Sequence, residues 1–382
     1  MKITQLFKDF SDSEKSGGIT LIFCTIISIV LANTAFGENY THFWHSSLGG
    51  QSIEYWINDG LMTIFFLLIG LELEREIYIG ELSKIKDALF PIFGALGGMI
   101  IPAGIYLWLN FGASTQSGAG IPMATDIAFA LGILSLLGNK VPTSLKVFLT
   151  ALAVIDDLGA IMVIAIFYTK AIIWTNLFIA IGIFVSLIVL NRLKIRNLIP
   201  YLIGGFAMWY FMLHSGVHAT ITGVLLAFAI PFGNGDEKST SYILQHFLHK
   251  PVAFLILPLF ALANTAIMIN TDLGEIISQK FSLGISLGLI IGKPIGIFLL
   301  SFLAVKFGIC KLPDDLNWKS IIGIGFLGGI GFTMSIFITL LAFDDFELQN
   351  GSKITILIAS VIAAIIGFVS LHFTLKKSIA NQ

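Results

Sequence analysis

Two adjacent aspartates lie near the centre of an apolar stretch that is long enough to cross a lipid bilayer. Asp156 and Asp157 belong to the segment ALAVIDDLG, residues 151–159, and the apolar run around them extends from Leu145 to Tyr168. A charged side chain at mid-membrane costs roughly 2.5 to 3.5 kcal/mol on insertion scales, and such residues usually mark an ion or proton pathway. Neighbouring residues on a helix point about 100° apart. We therefore expect one aspartate to be the better ion ligand and the other to find a partner.

Two more ionisable residues are predicted at the same depth. Asp126 lies in a short, glycine-flanked segment, and Lys293 lies in IIGKPIG directly before Pro294. The set then contains three acidic groups and one basic group, so Lys293 can balance the negative charge of only one carboxylate. Burial disfavours the charged form of a carboxyl group and a nearby lysine favours it, so at least one carboxyl group is expected to exchange a proton for a metal ion. Oxygen ligands select alkali or alkaline-earth ions over transition metals.

The composition places these residues in a membrane protein. Of the 382 residues, 56% are hydrophobic and only 12% are charged, whereas soluble domains carry about 25% charged residues. The mean hydropathy is +0.91. The net charge is −1 and like charges form no block, so the lipid bilayer is the expected environment and nucleic acid is not an expected partner. The two cysteines imply no disulfide framework, and no cofactor is expected.

Apolar runs of about 17 to 25 residues, the length of a membrane-spanning helix, occur twelve times. No separate soluble domain is left, so residues 1–382 are expected to form a single all-α integral membrane domain. The longest polar stretch, Gly233 to Lys250, is expected to extend the ninth helix. The approximate limits of the twelve runs are 17–36, 57–73, 88–109, 121–138, 145–168, 172–190, 198–214, 217–232, 251–269, 281–305, 321–343 and 353–375.

The fourth and eleventh runs are unusual for membrane helices. The fourth is short and carries Pro122 and Asp126, and the eleventh has five glycines between Gly323 and Gly331. Glycine costs about 1 kcal/mol in a helix interior, so the eleventh run is predicted to be either broken or closely packed. Interrupted helices in corresponding positions of two halves indicate a transporter site. The hydroxyl group of Thr125, in the fourth run, is then expected either to complete the coordination shell of the bound cation or to form a hydrogen bond with the backbone of its own helix.

Lysine and arginine residues are distributed unevenly between the two sides of the predicted membrane. If the runs alternate in direction, one side has only Lys170, Lys280 and Lys353. Lys293 lies within the membrane, and the other 18 of the 22 basic residues fall on the side that holds both termini. Positive charge concentrates in cytoplasmic loops. Both termini are therefore expected in the cytoplasm.

Four ordered motifs resemble those of the NhaA sodium/proton antiporters of the bacterial inner membrane. They are ATDIAFALG (124–132), AVIDDLGAI (153–161), IGKPIG (291–296) and GIGFTMSIF (329–337), and the resemblance extends over nearly the whole chain. It implies a multi-pass transporter, not an enzyme, with twelve helices. Inverted-topology repeats, at about 88–168 and 281–375, would make the discontinuous fourth and eleventh helices cross at mid-membrane.

The resemblance also implies a role for each buried residue. Asp157 would be the principal Na⁺ ligand, and Asp156 would pair with Lys293. Thr125 and Asp126 would lie at the crossing, where Asp126 offsets facing helix N-termini and Lys293 offsets facing C-termini. Protons and Na⁺ or Li⁺ would then compete for the carboxylates. The implied function is electrogenic antiport, which expels sodium, takes up more protons than sodium, and serves sodium tolerance and pH homeostasis.

Family members carry a pH-responsive group at the end of the second helix and in the ninth. Glu74 stands where a basic residue is common, and residues 242–245, ahead of His246 and His249, are uncharged where strongly pH-activated members carry several charges. A weaker or shifted pH response is expected; the alternative is that the acidic cluster is only a solvated helix end. The matching residues are Glu72, Arg75, Glu76 and His246.

The resemblance implies a homodimer, because a β-hairpin in the first outer loop joins two copies in the family. That loop, Glu38 to Tyr55, is short in this chain.

Two other functions remain open at this point. A sodium-coupled symporter of an organic acid shares the broken-helix architecture but needs a polar cavity, and the fourth and eleventh runs contain no cluster of Asn, Gln or Arg to line one. An intramembrane aspartyl protease or a Mg²⁺-dependent prenyl or phosphatidyl transferase is the second alternative. A transferase needs repeated carboxylates to hold its metal and diphosphate, whereas Asp157 is followed by LGAI with no third acid.

Overall fold

The computed structural model of the protein describes residues 2–169, 171–269 and 273–380, and helices make up most of this part of the chain. The α-helices are α1 (Lys2–Ala32), α2 (Gly37–His45), α3 (Ile53–Tyr55), α4 (Met62–Tyr78), α5 (Ile85–Asn110), α6 (Ile127–Ser135), α7 (Thr143–Phe167), α8 (Trp174–Arg192), α9 (Ile199–Leu213), α10 (Ile221–Ala229), α11 (Thr240–Pro251), α12 (Leu257–Asn264), α13 (Leu273–Ser278), α14 (Lys280–Leu287), α15 (Lys293–Lys306), α16 (Trp318–Gly328), α17 (Phe332–Ala342) and α18 (Phe346–Ala380). Segments of 3₁₀-helix occupy Glu81–Ser83, Ser114–Met123 and Gly138–Lys140, and π-helical turns occupy Trp56–Leu61, Val252–Ile256 and Gly288–Gly292.

Within the described ranges, seven helices are long and apolar enough to cross a membrane. Three pairs of helices meet the same criteria together but bend at a short break, which brings the total to at most ten. With 15 residues, α9 is shorter than a complete crossing, and α10 has only 9. The twelve spans expected from the sequence therefore remain a prediction. The seven helices are Ile53–Tyr78, Ala88–Asn110, Thr143–Phe167, Trp174–Arg192, Thr240–Asn264, Lys280–Lys306 and Phe346–Lys376.

The chain divides into two compact units. The first comprises Met1–Ile26, Lys84–Ala160 and Ile267–Gln382, and the second comprises Ile27–Ser83 and Ile161–Ala266. Both predicted repeats contribute to the first unit, and Asp126, Asp156, Asp157 and Lys293 all belong to it.

In the first unit, α5 and α15 approach each other backbone to backbone. A Cβ atom on Gly97 would lie 2.0 Å from the carbonyl oxygen of Gly296, and a Cβ atom on Gly296 would lie 2.1 Å from that of Gly97. Only glycine permits this approach. One turn before Gly296, the chain leaves a π-helical turn and begins α15 at Lys293. Pro294 has no backbone N–H to donate into that turn, which favours the irregular geometry at this point.

The two unusual runs of the first unit each consist of two short helices. In the earlier run, the 3₁₀-helix Ser114–Met123 and α6 differ in direction by 40°, and in the later run α16 and α17 differ by 48°. The hydroxyl group of Ser335 in α17 donates to the carbonyl of Ile121 at 2.6 Å, and that of Ser117 donates to Ala342 at 2.9 Å. These bonds satisfy carbonyl groups that a short helix leaves without an internal partner.

The second unit begins with a sharp turn after α1. The axes of α1 and α2 differ by 116°, and Gly37 makes the turn possible because a Cβ atom there would lie 2.1 Å from the carbonyl oxygen of Ala32. A hairpin follows, with β1 (Ser47–Leu48) antiparallel to β2 (Gln51–Ser52). Its turn residues, Gly49 and Gly50, both have positive φ angles, as a two-residue hairpin turn requires.

The polar stretch 233–250 is helical only in part. Gly233 and Gly235 adopt φ angles of 63° and 67°, which end the preceding helical region, and α11 begins at Thr240. From there the helix continues through a π-helical turn into α12. The expected extension of the ninth helix is thus present from residue 240 onward, and the residues before it form turns.

Candidate ion-binding site

A carboxylate, an ammonium group and a hydroxyl group meet in the interior of the first unit. Nζ of Lys293 forms an ion pair with Oδ2 of Asp156 and donates a hydrogen bond to Oγ1 of Thr125 at 2.8 Å. Oγ1 of Thr125 lies 2.8 Å from Oδ2 of Asp156. The three residues are at most 1% exposed. A buried ion pair of this kind needs its remaining polar atoms satisfied, because desolvation otherwise outweighs the attraction.

Oδ1 of Asp156 has no hydrogen-bond partner among the described residues. The other oxygen of the same carboxylate carries the contacts with Lys293 and Thr125. Asp157 follows on α7 and is 2% exposed, and its side chain points about 100° away from that of Asp156. The pair therefore presents two buried carboxylates in different directions, one of them engaged with Lys293 on a single oxygen.

Asp126 occupies a different position, between the N-termini of two half-helices. Its Oδ1 accepts a hydrogen bond from the backbone N–H of Phe129 at 3.0 Å, which caps α6. Its Oδ2 accepts one from the backbone N–H of Thr333 at 3.1 Å and another from the Thr333 hydroxyl group. A negative charge is favourable at a helix N-terminus, where N–H groups lack internal partners. One carboxylate thus serves both α6 and α17.

The two chain breaks are also hydrogen-bonded to each other. The backbone N–H of Asp126 donates to the carbonyl of Ile330 at 2.7 Å. Oγ1 of Thr125 lies 2.8 Å from the carbonyl oxygen of Gly328, the last residue of α16. The break in the earlier run is therefore joined to the break in the later run by both backbone and side-chain contacts.

Several residues near these groups were not identified from the sequence. Thr333 contacts Asp126, and the hydroxyl group of Ser360 in α18 accepts a hydrogen bond from Phe332 N–H at 3.3 Å. Two charged residues outside this set also lie in apolar helices: Asp59, in the second unit, is half-buried within Ile53–Tyr78, and Lys353, one of the three basic residues expected on the side opposite the termini, is 4% exposed in α18. The apolar runs of the sequence include both residues.

The pH-response candidates lie in the second unit. Nε2 of His249 is 3.6 Å from Oε1 of Glu72. Two further groups lie near the ring of Tyr242: the guanidinium carbon of Arg75 is 5.7 Å from its centroid, and the His246 ring is nearly parallel to it with centroids 6.2 Å apart. Glu76 is half-buried in the last turns of α4. Tyr242, an uncharged residue, is thus the common neighbour of Arg75 and His246.

Glu74 is the most buried acidic residue of this cluster, with 3% of its surface exposed. Its Oε2 has no hydrogen-bond partner among the described residues. A charged carboxylate is costly in such surroundings unless it is hydrogen-bonded or paired.

The donor set around Asp156 consists of oxygen atoms. No three His, Cys, Asp or Glu side chains come together as a metal-binding group in the part of the chain that the structure describes. Carboxylate, hydroxyl and carbonyl oxygens suit hard cations.

Comparison with known proteins assigns the family. Residues 8–371 match the family described as Na+/H+ antiporter 1. The chain is 74% identical over 382 residues to "Na(+)/H(+) antiporter NhaA" of Flavobacterium psychrophilum, with 100% of each chain covered. It is 62% identical to the protein of that name from Cytophaga hutchinsonii, over 100% of this chain and 99% of the relative. A third such protein, from Aliivibrio salmonicida, is 47% identical over 99% of this chain and 100% of the relative. With its apolar helices, the chain is a multi-pass membrane protein that belongs to the Na+/H+ antiporter 1 family.

Proposed function

We propose that this protein exchanges Na⁺ or Li⁺ for protons by letting both compete for Asp156 and Asp157. The observation that supports this most is the buried contact of Lys293 and Thr125 with Asp156, with a second buried carboxylate next to it on α7. Proton, sodium ion and lysine ammonium each carry one positive charge. In a buried site, any of the three can neutralise a carboxylate. An extra positive charge there would be uncompensated, so binding of one cation favours release of another.

Asp157 is the principal cation ligand in this proposal. Oδ1 of Asp156 contributes a second oxygen, because the lysine contact occupies only Oδ2. Protons arriving from outside neutralise the carboxylates and release Na⁺ outside. Loss of those protons towards the cytoplasm lets Na⁺ bind again. The proton gradient then drives sodium out of the cell without a separate energy source.

The proposed exchange is electrogenic. More protons enter than sodium ions leave in each cycle, so net positive charge moves inward. Asp157 supplies one carboxylate that can accept a proton, and Asp156, which is paired with Lys293, supplies a second. Membrane potential, negative inside, then drives the exchange together with the proton gradient.

The proposed architecture is that of twelve helices with inverted repeats at about 88–168 and 281–375. The bends of 40° and 48° in the two broken runs, together with the hydrogen bond from Asp126 to Ile330, support a crossing of the fourth and eleventh helices at mid-membrane. The charge asymmetry of the loops supports cytoplasmic termini. We place the protein in the bacterial inner membrane.

A homodimer held at the outer surface is also part of the proposal. The hairpin of residues 47–52 has two residues in each strand, so any contact between copies through it is small. His45 and Glu54 flank it with a contact of 3.1 Å between Nδ1 and Oε2, which fixes the base of the hairpin.

The group around Tyr242 is proposed to set the response to pH. Arg75 and His246 both lie near the ring of Tyr242, and residues 242–245 next to the histidine carry no charge. We expect activity to rise with pH less steeply than in relatives that carry charges at residues 242–245.

The experiment that tests the function measures proton release in everted membrane vesicles. Vesicles energised with a pH gradient receive Na⁺, Li⁺ or K⁺ at pH values from about 6 to 9, and a pH-sensitive dye reports collapse of the gradient. We expect Na⁺ and Li⁺ to collapse it and K⁺ to be inert. Asp157→Asn removes the titrating carboxylate with almost no change in shape and is expected to abolish the response.

The matched control is Asp236→Asn, the same substitution in an exposed turn. Asp236 accepts a hydrogen bond from Lys238 N–H at its Oδ1, and asparagine retains that acceptor, so activity is expected to stay at the wild-type level. A wild-type protein that is silent at every pH, or an active Asp157→Asn, would contradict the proposal. The next test would then be sodium-coupled uptake of labelled organic acids, which the symporter alternative predicts.

A further inference from the structure

The short helix α2 has three distinct faces. Gly37 and Trp44 are buried, and Tyr40 between them is half-buried. Phe36, the residue that precedes the helix, is 70% exposed, and Phe43 is 52% exposed. With about 100° per residue, Phe36 and Phe43 fall on the same side, because seven residues make nearly two full turns. The buried side of α2 is therefore flanked by an exposed apolar side.

The remaining side of α2 is polar. Glu38, His42 and His45 recur at intervals of four and three residues and are all exposed. On the 100° spacing, this polar side is separated from the buried side and from the Phe36 and Phe43 side by roughly a third of a turn each. A helix in an aqueous loop needs only two faces, one buried and one polar. A helix that lies at a membrane surface needs a third face for lipid.

The position of α2 in the chain favours lipid as the partner of this third face. Its first residue follows the last residue of α1 by only five positions, and the two axes differ by 116°. If α1 crosses the bilayer, α2 runs across the direction of α1 at the level where the bilayer ends. The last turn of α1 exposes Val30 and Leu31, so exposed apolar side chains lie within six residues of Phe36 at the end of that crossing.

Contacts on the buried side hold α2 in this orientation. The Tyr40 hydroxyl group lies 3.0 Å from Oγ of Ser28 and 3.1 Å from the carbonyl oxygen of Leu262. The Phe43 ring packs edge-on against Trp44, with centroids 5.0 Å apart. Aromatic residues are typical of the boundary between the bilayer and water. Rotation of α2 about its axis would break the Tyr40 contacts, so Phe43 has a fixed direction.

We infer that α2 is an interfacial anchor that inserts Phe36 and Phe43 into the lipid boundary of the leaflet where α1 ends. Glu38, His42 and His45 face the water above that leaflet. The partner is a lipid surface and not a second copy of the chain, because α2 turns across the direction of α1 within five residues of the end of that apolar helix.

The test measures the surroundings of spin labels on single-cysteine variants in proteoliposomes. In a Cys24→Ser and Cys310→Ser background, labels are attached at Phe36→Cys, Phe43→Cys, Glu38→Cys and His42→Cys. Collision with oxygen reports lipid, and collision with a water-soluble nickel chelate reports water. We expect oxygen to dominate at 36 and 43 and the nickel chelate to dominate at 38 and 42, which reverses the ratio of the two collision rates along one helix.

Two results would overturn the inference. Nickel-dominated collision at both 36 and 43 would show that this side faces water. Protection from both reagents, with dipolar broadening that disappears when labelled protein is diluted with unlabelled protein, would show that a second copy covers it. Positions 36 and 43 are tested separately, so failure of one variant to fold leaves the other decisive. Retained sodium-dependent proton release serves as the folding control for each variant.

Discussion

The hydroxyl group of Thr125 has one proton and two acceptors within reach. Oδ2 of Asp156 and the carbonyl oxygen of Gly328 both lie 2.8 Å from Oγ1, while Lys293 donates to the same atom. A hydroxyl group donates only one hydrogen bond at a time. Thr125 therefore donates either to Asp156 in the ion pair or to the carbonyl of Gly328 at the end of α16. The acceptor that does not receive this hydrogen bond lacks a donor from Thr125.

Replacement of Thr125 tests the importance of this shared donor. Thr125→Val removes the hydroxyl group at nearly constant volume and leaves Lys293 and one of the two acceptors, Asp156 or Gly328, without a buried partner, at a cost of about 1 to 3 kcal/mol. If the lost bond supports cation binding, the KM for Na⁺ rises about 5- to 150-fold. Thr125→Ser keeps the hydroxyl group and is expected to remain close to the wild type. Transport against Na⁺ concentration in everted vesicles measures both.

Two results would contradict this role for Thr125. An unchanged KM in Thr125→Val would show that the hydroxyl group is not needed. Equal losses in the serine and valine variants would show that the methyl group, through packing, is what matters.

The site could be predicted from the sequence to different extents for different residues. Asp156, Asp157 and Lys293 stand out because a charge in an apolar run needs an explanation. Thr333 and Ser360 do not stand out, because a hydroxyl group in a membrane helix commonly bonds its own backbone, as Thr339 does with Ser335. Asp126 and Thr333 are 207 positions apart. Only the folded arrangement of the two breaks brings them together.

At the scale of elements, α5 and α15 approach each other at a pair of glycines close to Lys293. The contact at Gly97 and Gly296 is made by backbone atoms on both sides. One residue further along α5, a Cβ atom on Gly98 would lie 3.6 Å from Cδ of Lys293 and 3.0 Å from a side-chain carbon of Ile297. A Cβ atom on Gly98 would therefore crowd Ile297, while it would make only an ordinary van der Waals contact with the stem of Lys293.

Gly97→Ala is expected to destabilise the protein. Its Cβ atom would meet a backbone oxygen at 2.0 Å, so the helices must separate, and overpacking of this kind typically costs about 1 to 3 kcal/mol. Gly104→Ala is the matched control on the same helix, where a Cβ atom meets nothing within 4 Å and alanine favours the helix by about 0.5 to 1 kcal/mol. Thermal unfolding in detergent should show a lower Tm for the first variant and an unchanged or higher Tm for the second. Equal Tm values would contradict the close approach.

The elements themselves were predictable where a long apolar run exists. Each of the twelve runs contains at least part of a helix, because burial in lipid requires the backbone to satisfy itself. The runs did not reveal α2 or the hairpin, which are too short and too polar to form an apolar run. They also did not reveal the π-helical turn Gly288–Gly292, since an extra residue in a helical turn leaves hydrophobicity unchanged.

At the scale of the whole molecule, unequal exchange makes transport depend on membrane voltage. Proteoliposomes loaded with radioactive sodium and high K⁺ become negative inside when valinomycin is added in low-K⁺ medium. Since the proposed cycle carries net positive charge inward as sodium leaves, we expect valinomycin to accelerate sodium efflux. Liposomes without protein but with monensin, which exchanges sodium for protons one to one, provide the electroneutral control. Equal efflux with and without valinomycin would contradict an electrogenic cycle.

The joining of the two chain breaks has a mechanical consequence. Asp126 holds the start of α6 and the start of α17 with one carboxylate, and its own N–H is bonded to Ile330. Two segments that are hydrogen-bonded to each other at several buried points resist sliding or rotation, because no water is at hand to replace the broken hydrogen bonds. Displacement of one half-helix therefore displaces the other, and the two interrupted runs move as one unit.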